Sequence, residues 1–438
     1  MALLDASIVS GTGRVLLALA GVAGGLWLLR PAGGLWWRRT LPVALMAGVL
    51  TGVATKVGVE DLWHPFPDAL PLVVELATGS LALALVLAGA RSRHARVGAR
   101  LVAGLAVVLV ALAGTAQVNQ LFRAYPTLRS ALGLPFRGQV AFSTVAAGVP
   151  AGALSLQLGT MARPLDAVWT APPGLSATGV VTRLALPGRT SGFPARAAWV
   201  YLPPAYLTRT RPRLPVLVLL SGSPGDPRDW LTGGQLPQTM DAFAQVHRGL
   251  APVVVSVDPL GSEFSNPVCV DSRLGRAFSY LTVDVPREIA AALQVDPDHR
   301  HWAVGGLSSG GTCSLQLAVN APRVYPTFVD ISGEDEPTRG SRNSTVAEAF
   351  GGHGLAFRRV NPLDVLAVHH LPGVAGFLSA GSRDRRYLPQ ALTVLHALRA
   401  AGVPTVYSQL PGGHTWQTWA PALREALPFV ATRTRLIP

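Results

Sequence analysis

The segment AVGGLSSGGTCSLQL, residues 303–317, places two adjacent serines among four glycines. Its first residues belong to WAVGG (302–306), a short apolar run typical of a buried strand. It continues into TCSLQLAV (312–319), whose apolar residues have helical spacing. The segment therefore predicts a strand, a tight glycine-rich turn and a helix, with a serine at the turn.

Gly306, Ser308 and Gly310 fit the pattern G-x-S-x-G. In that pattern the serine occupies a sharp strand-to-helix turn that exposes its hydroxyl, and the glycines permit the close backbone approach. Only Ser308 has glycine at both second neighbours, so we predict Ser308 as a nucleophile. The backbone N–H of Ser309 is then a donor to an oxyanion. The alternative is a glycine-rich turn without chemistry.

The second half of the chain alternates short β-rich runs with helix-like segments. The runs are residues 197–202, 215–220, 252–257, 302–306, 327–332, 374–380 and 404–410. Several are continuously apolar, as expected for strands covered on both faces. Helical patterns lie between them at 285–293 and 388–402, where Gly402 is suited to cap the helix. This alternation predicts a mostly parallel sheet with helices on both faces.

An acid and a histidine follow Ser308 in the chain order that this type of site requires. Asp384 comes after the run 374–380, and His414 comes after the run 404–410. Because parallel strands deliver their loops to one edge, we predict that His414 accepts the Ser308 proton while Asp384 orients His414. Asp330, after the preceding run, is the rival acid.

A second oxyanion donor should come from the loop after an early strand. The segment LLSGSPGDPRDW (219–230) follows such a strand, and its Ser223 is the candidate through the main-chain N–H. The alternative is a phosphate cradle, but no Gly-Lys-Ser/Thr sequence follows. The histidines show no metal-ligand spacing, so we expect no metal.

Four apolar runs occupy the first 120 residues. They are residues 15–29, 41–55, 69–90 and 101–118. A spanning helix needs about 20 apolar residues, and a cleaved signal peptide would explain only the first run. We therefore predict four transmembrane helices. Glu75, inside the third run, is either functional or paired near the interface with Arg14.

Arginine placement predicts the orientation of these helices. The loops after the first and third runs carry Arg30, Arg38, Arg39, Arg91, Arg93, Arg96 and Arg100. Both loops are therefore expected in the cytoplasm, which leaves the second half of the chain outside. Oxidation is allowed there, so the two cysteines, Cys269 and Cys313, are predicted to form a disulfide. The alternative is two unrelated buried thiols.

Composition agrees with a membrane protein and argues against a nucleic-acid partner. Only 14% of residues are charged, below the roughly 25% of soluble domains, and the net charge of +13 is not clustered with aromatic residues. The predicted organisation is a four-helix transmembrane anchor at 1–120, a juxtamembrane linker at 121–175 and a catalytic domain at 176–438.

The catalytic half resembles the esterase D and mycoloyltransferase branch of the α/β hydrolases. The resemblance is carried by ARAAWVYLPPAY (195–206), AVGGLSSGG (303–311), GSRD (381–384) and above all GGHTWQTW (412–419). It implies an α/β hydrolase fold, no cofactor and acyl-enzyme chemistry on carboxylic esters. It also implies the same roles for Ser308, Asp384, His414 and the N–H groups of Ser223 and Ser309. The layout as a whole resembles membrane-anchored esterases of actinobacteria.

The leading expectation is a membrane-anchored serine esterase that acts outside the cytoplasm on a lipid or lipid-linked ester. An acyltransferase of the mycoloyl type, which moves an acyl chain to a sugar or glycerol hydroxyl, would use the same residues. A non-catalytic scaffold or receptor is a further alternative, although no member of the predicted triad is missing. A transporter is a less suitable interpretation because, apart from Glu75, the apolar runs carry few polar groups.

Overall fold

The structure is a computed structural model that describes residues 4–31, 34–63, 69–93, 95–146 and 163–438. The chain forms two compact units, Met1–Leu134 and Pro135–Pro438. The division between them falls inside the predicted linker at 121–175. Residues 147–162 of that linker lie outside the described residues.

The first unit is built from four long helices. They are α1 (Gly11–Leu29), α2 (Leu41–Val57), α3 (Leu72–Ser92) and α4 (Val97–Phe122), followed by the short α5 (Leu128–Ala131). Turns of π-helix at Trp36–Thr40 and Gly58–Trp63 lengthen α2 at both ends. With mean hydropathy from 1.5 to 2.2, these stretches are long and apolar enough to cross a membrane. Each apolar run of the sequence overlaps one of them.

Small residues bring these helices close together. A Cβ added to Gly79 of α3 would lie 2.7 Å from the Gly48 carbonyl oxygen of α2. In the same way, a Cβ on Gly24 of α1 would lie 2.8 Å from the carbonyl oxygen of Ala106 in α4. Glycine is thus required at these crossings because a side chain would collide with the backbone of the neighbouring helix.

Glu75 forms an ion pair within the bundle. Its Oε1 lies 3.7 Å from Nζ of Lys56, so the partner is Lys56 on α2 rather than Arg14. The side chain of Glu75 is 17% exposed. The pair compensates the cost of a carboxylate in an apolar helix.

The second unit contains an eight-stranded sheet. The strands are β1 (Val180–Leu184), β2 (Ala198–Leu202), β3 (Val216–Leu220), β4 (Val253–Val257), β5 (Asp271–Ser272), β6 (Gly275–Arg276), β7 (Trp302–Leu307), β8 (Thr327–Ile331), β9 (Ala375–Gly381) and β10 (Thr405–Leu410). The order in the sheet is β1-β2-β4-β3-β7-β8-β9-β10, and β5 pairs with β6 in a separate hairpin. The pairs β1–β2 and β2–β4 are antiparallel, and the other pairs of the large sheet are parallel. This confirms the predicted mostly parallel sheet.

Helices connect and cover these strands. They are α6 (Phe142–Ala146), α7 (Leu165–Val168), α8 (Asp229–Thr232), α9 (Leu236–Val246), α10 (Ala277–Ser279), α11 (Val285–Ala292), α12 (Ser309–Asn320), α13 (Arg342–Phe350), α14 (Gly354–Arg358), α15 (Pro362–Leu366), α16 (Tyr387–Ala400) and α17 (Trp416–Arg433). Helix α12 packs against β3, β7 and β8, and α17 packs against β8, β9 and β10. Every residue of β3, β4 and β8 is buried. Burial on both faces explains why β3 is apolar throughout and why β4 is apolar except for Ser256. The parallel strands direct their following loops to one edge of the sheet, where the predicted site residues lie.

Candidate active site

Ser308 occupies a strained turn between β7 and α12. Its backbone angles are φ 54° and ψ −128°, a combination that non-glycine residues rarely adopt. The flanking residues must be glycines because a side chain would not fit at either position. A Cβ on Gly306 would collide with the carbonyl oxygen of Gly310. A Cβ on Gly310 would lie 2.5 Å from the carbonyl oxygen of Leu220 in β3. The turn therefore holds the serine at the end of the strand, as the pattern predicts.

The structure brings Ser308, His414 and Asp384 together in a hydrogen-bonded row. Nε2 of His414 lies 2.9 Å from Oγ of Ser308, and Nδ1 of His414 lies 3.0 Å from Oδ2 of Asp384. The side chain of Asp384 is only 3% exposed, and its Oδ1 accepts the backbone N–H of Tyr387 at 3.1 Å. When Nδ1 donates to the carboxylate, Nε2 is left to accept the serine proton.

Two aromatic side chains hold the ring of His414 in place. The ring of Tyr387 stacks on it, with 3.8 Å between centroids and 15° between planes. Trp419 meets it edge-on at 4.9 Å. Trp416 packs instead against Trp230 at 5.4 Å and is 8% exposed, so it belongs to the core of the histidine loop. Sequence reasoning missed Tyr387, because an aromatic residue at the start of a helix carries no special signal.

The predicted oxyanion donors lie on the two segments that flank Ser308. Ser309 is the first residue of α12, so its N–H has no acceptor within the helix and points out of the positive end of the helix dipole. The loop after β3 passes beside Ser308, since a Cβ on Gly222 would lie 3.1 Å from Cβ of Ser308. Ser223 follows Gly222 in this loop. Its hydroxyl donates a hydrogen bond to the carbonyl of Ser265 at 3.0 Å.

A charge network that sequence reasoning missed anchors this loop. Nη2 of Arg196 lies 2.7 Å from Asp258, whose side chain is fully buried, and Nη1 lies 3.0 Å from Asp226. Asp229 accepts the backbone N–H of Asp226 at 2.8 Å, and burial raises the pKa of Asp229 to about 6. Arg196 precedes β2, so it joins three segments that are remote in the chain. No local pattern could have identified it.

Asp330, the rival acid, has a different environment. Its side chain lies on β8 beneath the first turn of α12, where Oδ1 contacts Gly311 and accepts the N–H of Gly333 at 2.9 Å. Among the described residues it makes no hydrogen bond to His414. The residue is 4% exposed, and burial raises the pKa of its carboxyl to about 7.

Cys269 and Cys313 form a disulfide, with Cα atoms 5.4 Å apart. The predicted bridge is therefore present, and it ties the loop after β4 to helix α12. Within the described ranges, no group of three His, Cys, Asp or Glu side chains could hold a metal ion.

Comparison with known proteins identifies the second unit. Residues 195–430 match a family model described as "Putative esterase". The uncharacterized protein Cgl0967/cg1104 of Corynebacterium glutamicum is 37% identical over 406 residues, which cover 90% of this chain and 89% of that protein. The match to the family model extends over the sequence blocks that carry the predicted resemblance.

Solved structures of low sequence identity share the fold of this unit. One is a ferulic acid esterase with 20% sequence identity. The match covers 58% of this chain and 99% of the esterase chain, with a TM-score of 0.51. Another is an S-formylglutathione hydrolase from Agrobacterium tumefaciens with 16% sequence identity. The match covers 59% of this chain and 97% of the hydrolase chain, with a TM-score of 0.50. The α/β hydrolase fold predicted from the sequence is therefore confirmed.

Proposed function

This chain belongs to the esterase family of α/β hydrolases, and on that premise we propose a membrane-anchored serine esterase that acts outside the cytoplasm. Its substrate would be a carboxylic ester of a lipid or a lipid-linked molecule. The observation that carries the proposal is the 2.9 Å separation of Ser308 Oγ from His414 Nε2, with Asp384 on the other ring nitrogen. No cofactor is required for this chemistry.

The proposed reaction proceeds through an acyl-enzyme. Oγ of Ser308 attacks the ester carbonyl carbon while its proton moves to Nε2 of His414. The N–H groups of Ser309 and Ser223 stabilise the negative oxygen of the tetrahedral intermediate. Collapse of the intermediate breaks the bond to the alcohol, which leaves with the proton from His414. Water then repeats the sequence and releases the acid.

Asp384 contributes by fixing His414 rather than by moving a proton. Its carboxylate keeps the hydrogen of His414 on Nδ1 and stabilises the imidazolium that forms when Ser308 is deprotonated. If a sugar or glycerol hydroxyl replaced water in the second half of the reaction, the same residues would perform acyl transfer. Product analysis with and without an added alcohol acceptor separates the two reactions.

Three features support the membrane and compartment parts of the proposal. The four helices from α1 to α4 have the length and composition of membrane spans. The loops after the first and third helices are rich in arginine, and such loops lie on the cytoplasmic side of a membrane. With four spans, this orientation leaves the chain after α4 outside the cytoplasm. The Cys269–Cys313 disulfide is consistent with an oxidising compartment.

The test is labelling of the full, detergent-solubilised chain with a fluorophosphonate probe, followed by mapping of the adduct by mass spectrometry. We expect an adduct on Ser308, which is lost in Ser308→Ala and in His414→Ala. His396→Ala is the matched control because His396 is exposed on α16, away from the site, and it should retain the adduct. A folded protein without an adduct would contradict the proposal and favour a non-catalytic scaffold. An adduct on Ser309 instead of Ser308 would contradict the assignment of the nucleophile.

A further inference from the structure

The two proposed oxyanion donors lie on segments of different kinds. In the described part of the chain, the backbone N–H groups of Ser223 and Ser309 donate to no acceptor. An oxygen that becomes negative in the transition state is stabilised when both groups already lie within hydrogen-bond distance of it. Ser309 begins the helix α12, whereas Ser223 lies in the loop between β3 and α8. The position of the Ser223 N–H therefore depends on the contacts that hold this loop.

A second loop provides such contacts. The segment 258–270 between β4 and β5, called the β4 loop below, accepts two hydrogen bonds from the loop of Ser223. The Ser223 hydroxyl donates to the carbonyl of Ser265 at 3.0 Å, and the N–H of Gly225 donates to the carbonyl of Glu263 at 3.0 Å. Arg196 also donates to the carbonyl of Gly225, but among the described residues Ser265 is the only hydrogen-bond partner of Ser223.

The other end of the β4 loop is attached to α12. Cys269 forms the disulfide with Cys313, and the carbonyl of Val268 accepts a hydrogen bond from Nε2 of Gln316 at 3.1 Å. Cys313 follows Ser309 by four residues, which is about one helical turn. The β4 loop therefore connects the helix that supplies one oxyanion donor to the loop that supplies the other.

Side-chain packing between the β4 loop and α12 is incomplete. A cavity of about 20 Å³ remains between them, with Asn266 and Cys269 on one side and Ser309 and Thr312 on the other. This volume is sufficient for about one water molecule. The covalent bond between Cys269 and Cys313 is therefore important for the position of the loop.

The attached end of the β4 loop also has an unfavourable backbone conformation. Val268 and Cys269 have φ angles of 52° and 56°, a region that a β-branched residue such as valine rarely occupies. A conformation of this kind persists only where the surrounding contacts enforce it. Without the disulfide, we expect this end of the loop to relax and to displace Ser265, which holds Ser223.

We propose that the β4 loop positions the oxyanion donor of Ser223 and that the Cys269–Cys313 disulfide fixes this loop relative to Ser309. The two cysteines and the Ser223 hydroxyl are positioning groups, because they act through the Ser223 N–H. The rate of the esterase therefore depends on the redox state of the disulfide. The proposal rests on the proposed function and adds this dependence to the same site.

Reduction of the disulfide requires an external dithiol. The dithiol breaks the S–S bond by thiol–disulfide exchange and supplies two electrons and two protons, so that Cys269 and Cys313 become thiols. The dithiol is itself oxidised to a cyclic disulfide. No atom of the ester substrate takes part in this step.

The first experiment measures kcat and KM for p-nitrophenyl butanoate with the full, detergent-solubilised chain. Oxidised protein is compared with protein reduced by dithiothreitol, which is removed under nitrogen before the assay, at a temperature at which both forms are folded. We expect reduction to lower kcat by roughly 10-fold, less than the 10²- to 10³-fold loss of a whole oxyanion donor, because the N–H is displaced and not removed. KM should change little, because the oxyanion forms only after the ester has bound. The affinity for a trifluoromethyl ketone, whose adduct with serine carries an oxyanion, should fall by a factor similar to that of kcat.

Variants of the two loops test the path with the disulfide intact. Ser223→Ala keeps the N–H but loses the bond to Ser265, so kcat should fall by roughly 10-fold, and Ser223→Thr, which retains a hydroxyl, should restore most of it. Ser262→Ala is the matched control, because its hydroxyl is exposed on the β4 loop and forms no hydrogen bond within the described ranges. Its kcat should equal that of wild type. Reduction of Ser223→Ala should lower kcat by no more than about twofold further, because both changes act through one bond.

The proposal is overturned if reduction leaves kcat unchanged, or if reduction and Ser223→Ala lower kcat by independent factors that multiply. If the reduced protein unfolds at every temperature, the variants with an intact disulfide decide, and equal kcat values of Ser223→Ala and Ser262→Ala overturn the proposal. An enzyme that takes the fluorophosphonate adduct and hydrolyses the ester equally well in both redox states contradicts this inference alone. A protein that takes no adduct and hydrolyses no ester contradicts the proposed function, and the inference fails with it.

Discussion

Oδ2 of Asp384 lies 3.0 Å from Nδ1 of His414. Asp330, another buried carboxyl from a neighbouring strand, contacts the first turn of α12 instead. Both acids follow Ser308 in the chain, and both are 4% exposed. The direction of each side chain, rather than burial or chain position, therefore determines which acid meets the histidine.

Replacing each acid by its amide should separate the two roles. Asp384→Asn is expected to lower kcat by about 10³- to 10⁴-fold, because an amide favours the wrong tautomer of His414 and cannot stabilise the imidazolium. Asp330→Asn makes the same chemical change away from His414 and should alter kcat by no more than about threefold. Steady-state hydrolysis of a p-nitrophenyl ester measures both. Equal losses in the two variants would show that Asp384 has no special role.

The Asp330 carboxyl should make stability depend on pH. Its pKa in the folded protein is about 7, well above the usual range for a carboxyl, because burial penalises the charged form. Between about pH 4 and pH 7 the folded state therefore binds more protons than the unfolded state, so the free energy of unfolding falls as the pH rises.

The measurement compares melting temperatures of wild type and Asp330→Asn at pH 5 and pH 8. The stability that Asp330 contributes at pH 5 is lost at pH 8, so the variant should become more stable relative to wild type at the higher pH. A difference between the two proteins that does not change with pH would contradict the raised pKa.

The disulfide should contribute substantially to stability. Cys269 and Cys313 are separated by 44 residues, and closing a loop of that length stabilises a protein by about 4 kcal/mol in the chain-entropy model. The double variant Cys269→Ala/Cys313→Ala should therefore melt at a lower temperature. A reducing agent should lower the melting temperature of wild type and leave that of the double variant unchanged. If the reducing agent lowered the melting temperatures of wild type and double variant equally, the effect would not come from this disulfide.

Gly79 should be required for the contact between α2 and α3. Gly79→Leu places a side chain against the backbone of Gly48, and overpacking of this kind costs about 1–3 kcal/mol. Gly89→Leu, on the same helix, serves as the control because a Cβ added at Gly89 has no atom within 4 Å. Thermal stability of the detergent-solubilised protein should fall in the first variant only. Equal stability of the two variants would mean that α2 and α3 do not pack closely at Gly79.

Local sequence patterns predicted most strands but not all of them. The runs at β3 and β4 were recognisable because both of their faces are buried and nearly all of their residues are apolar. The edge strand β1 was missed because VVTRL combines buried positions with the exposed Arg183. The hairpin of β5 and β6 has two residues in each strand, too few for a periodic pattern.

Three features could be recognised without the fold: the glycines at both second neighbours of Ser308, the chain order of serine, acid and histidine, and the four apolar stretches. Tertiary contacts were needed to show that Asp384 rather than Asp330 contacts His414, that Tyr387 stacks on that ring and that Arg196 anchors the loop with Ser223. They also place a cavity with polar lining next to Ser309. The physical reason is that these contacts join segments far apart in the chain, and the twist of the sheet and the direction of each side chain set their distances.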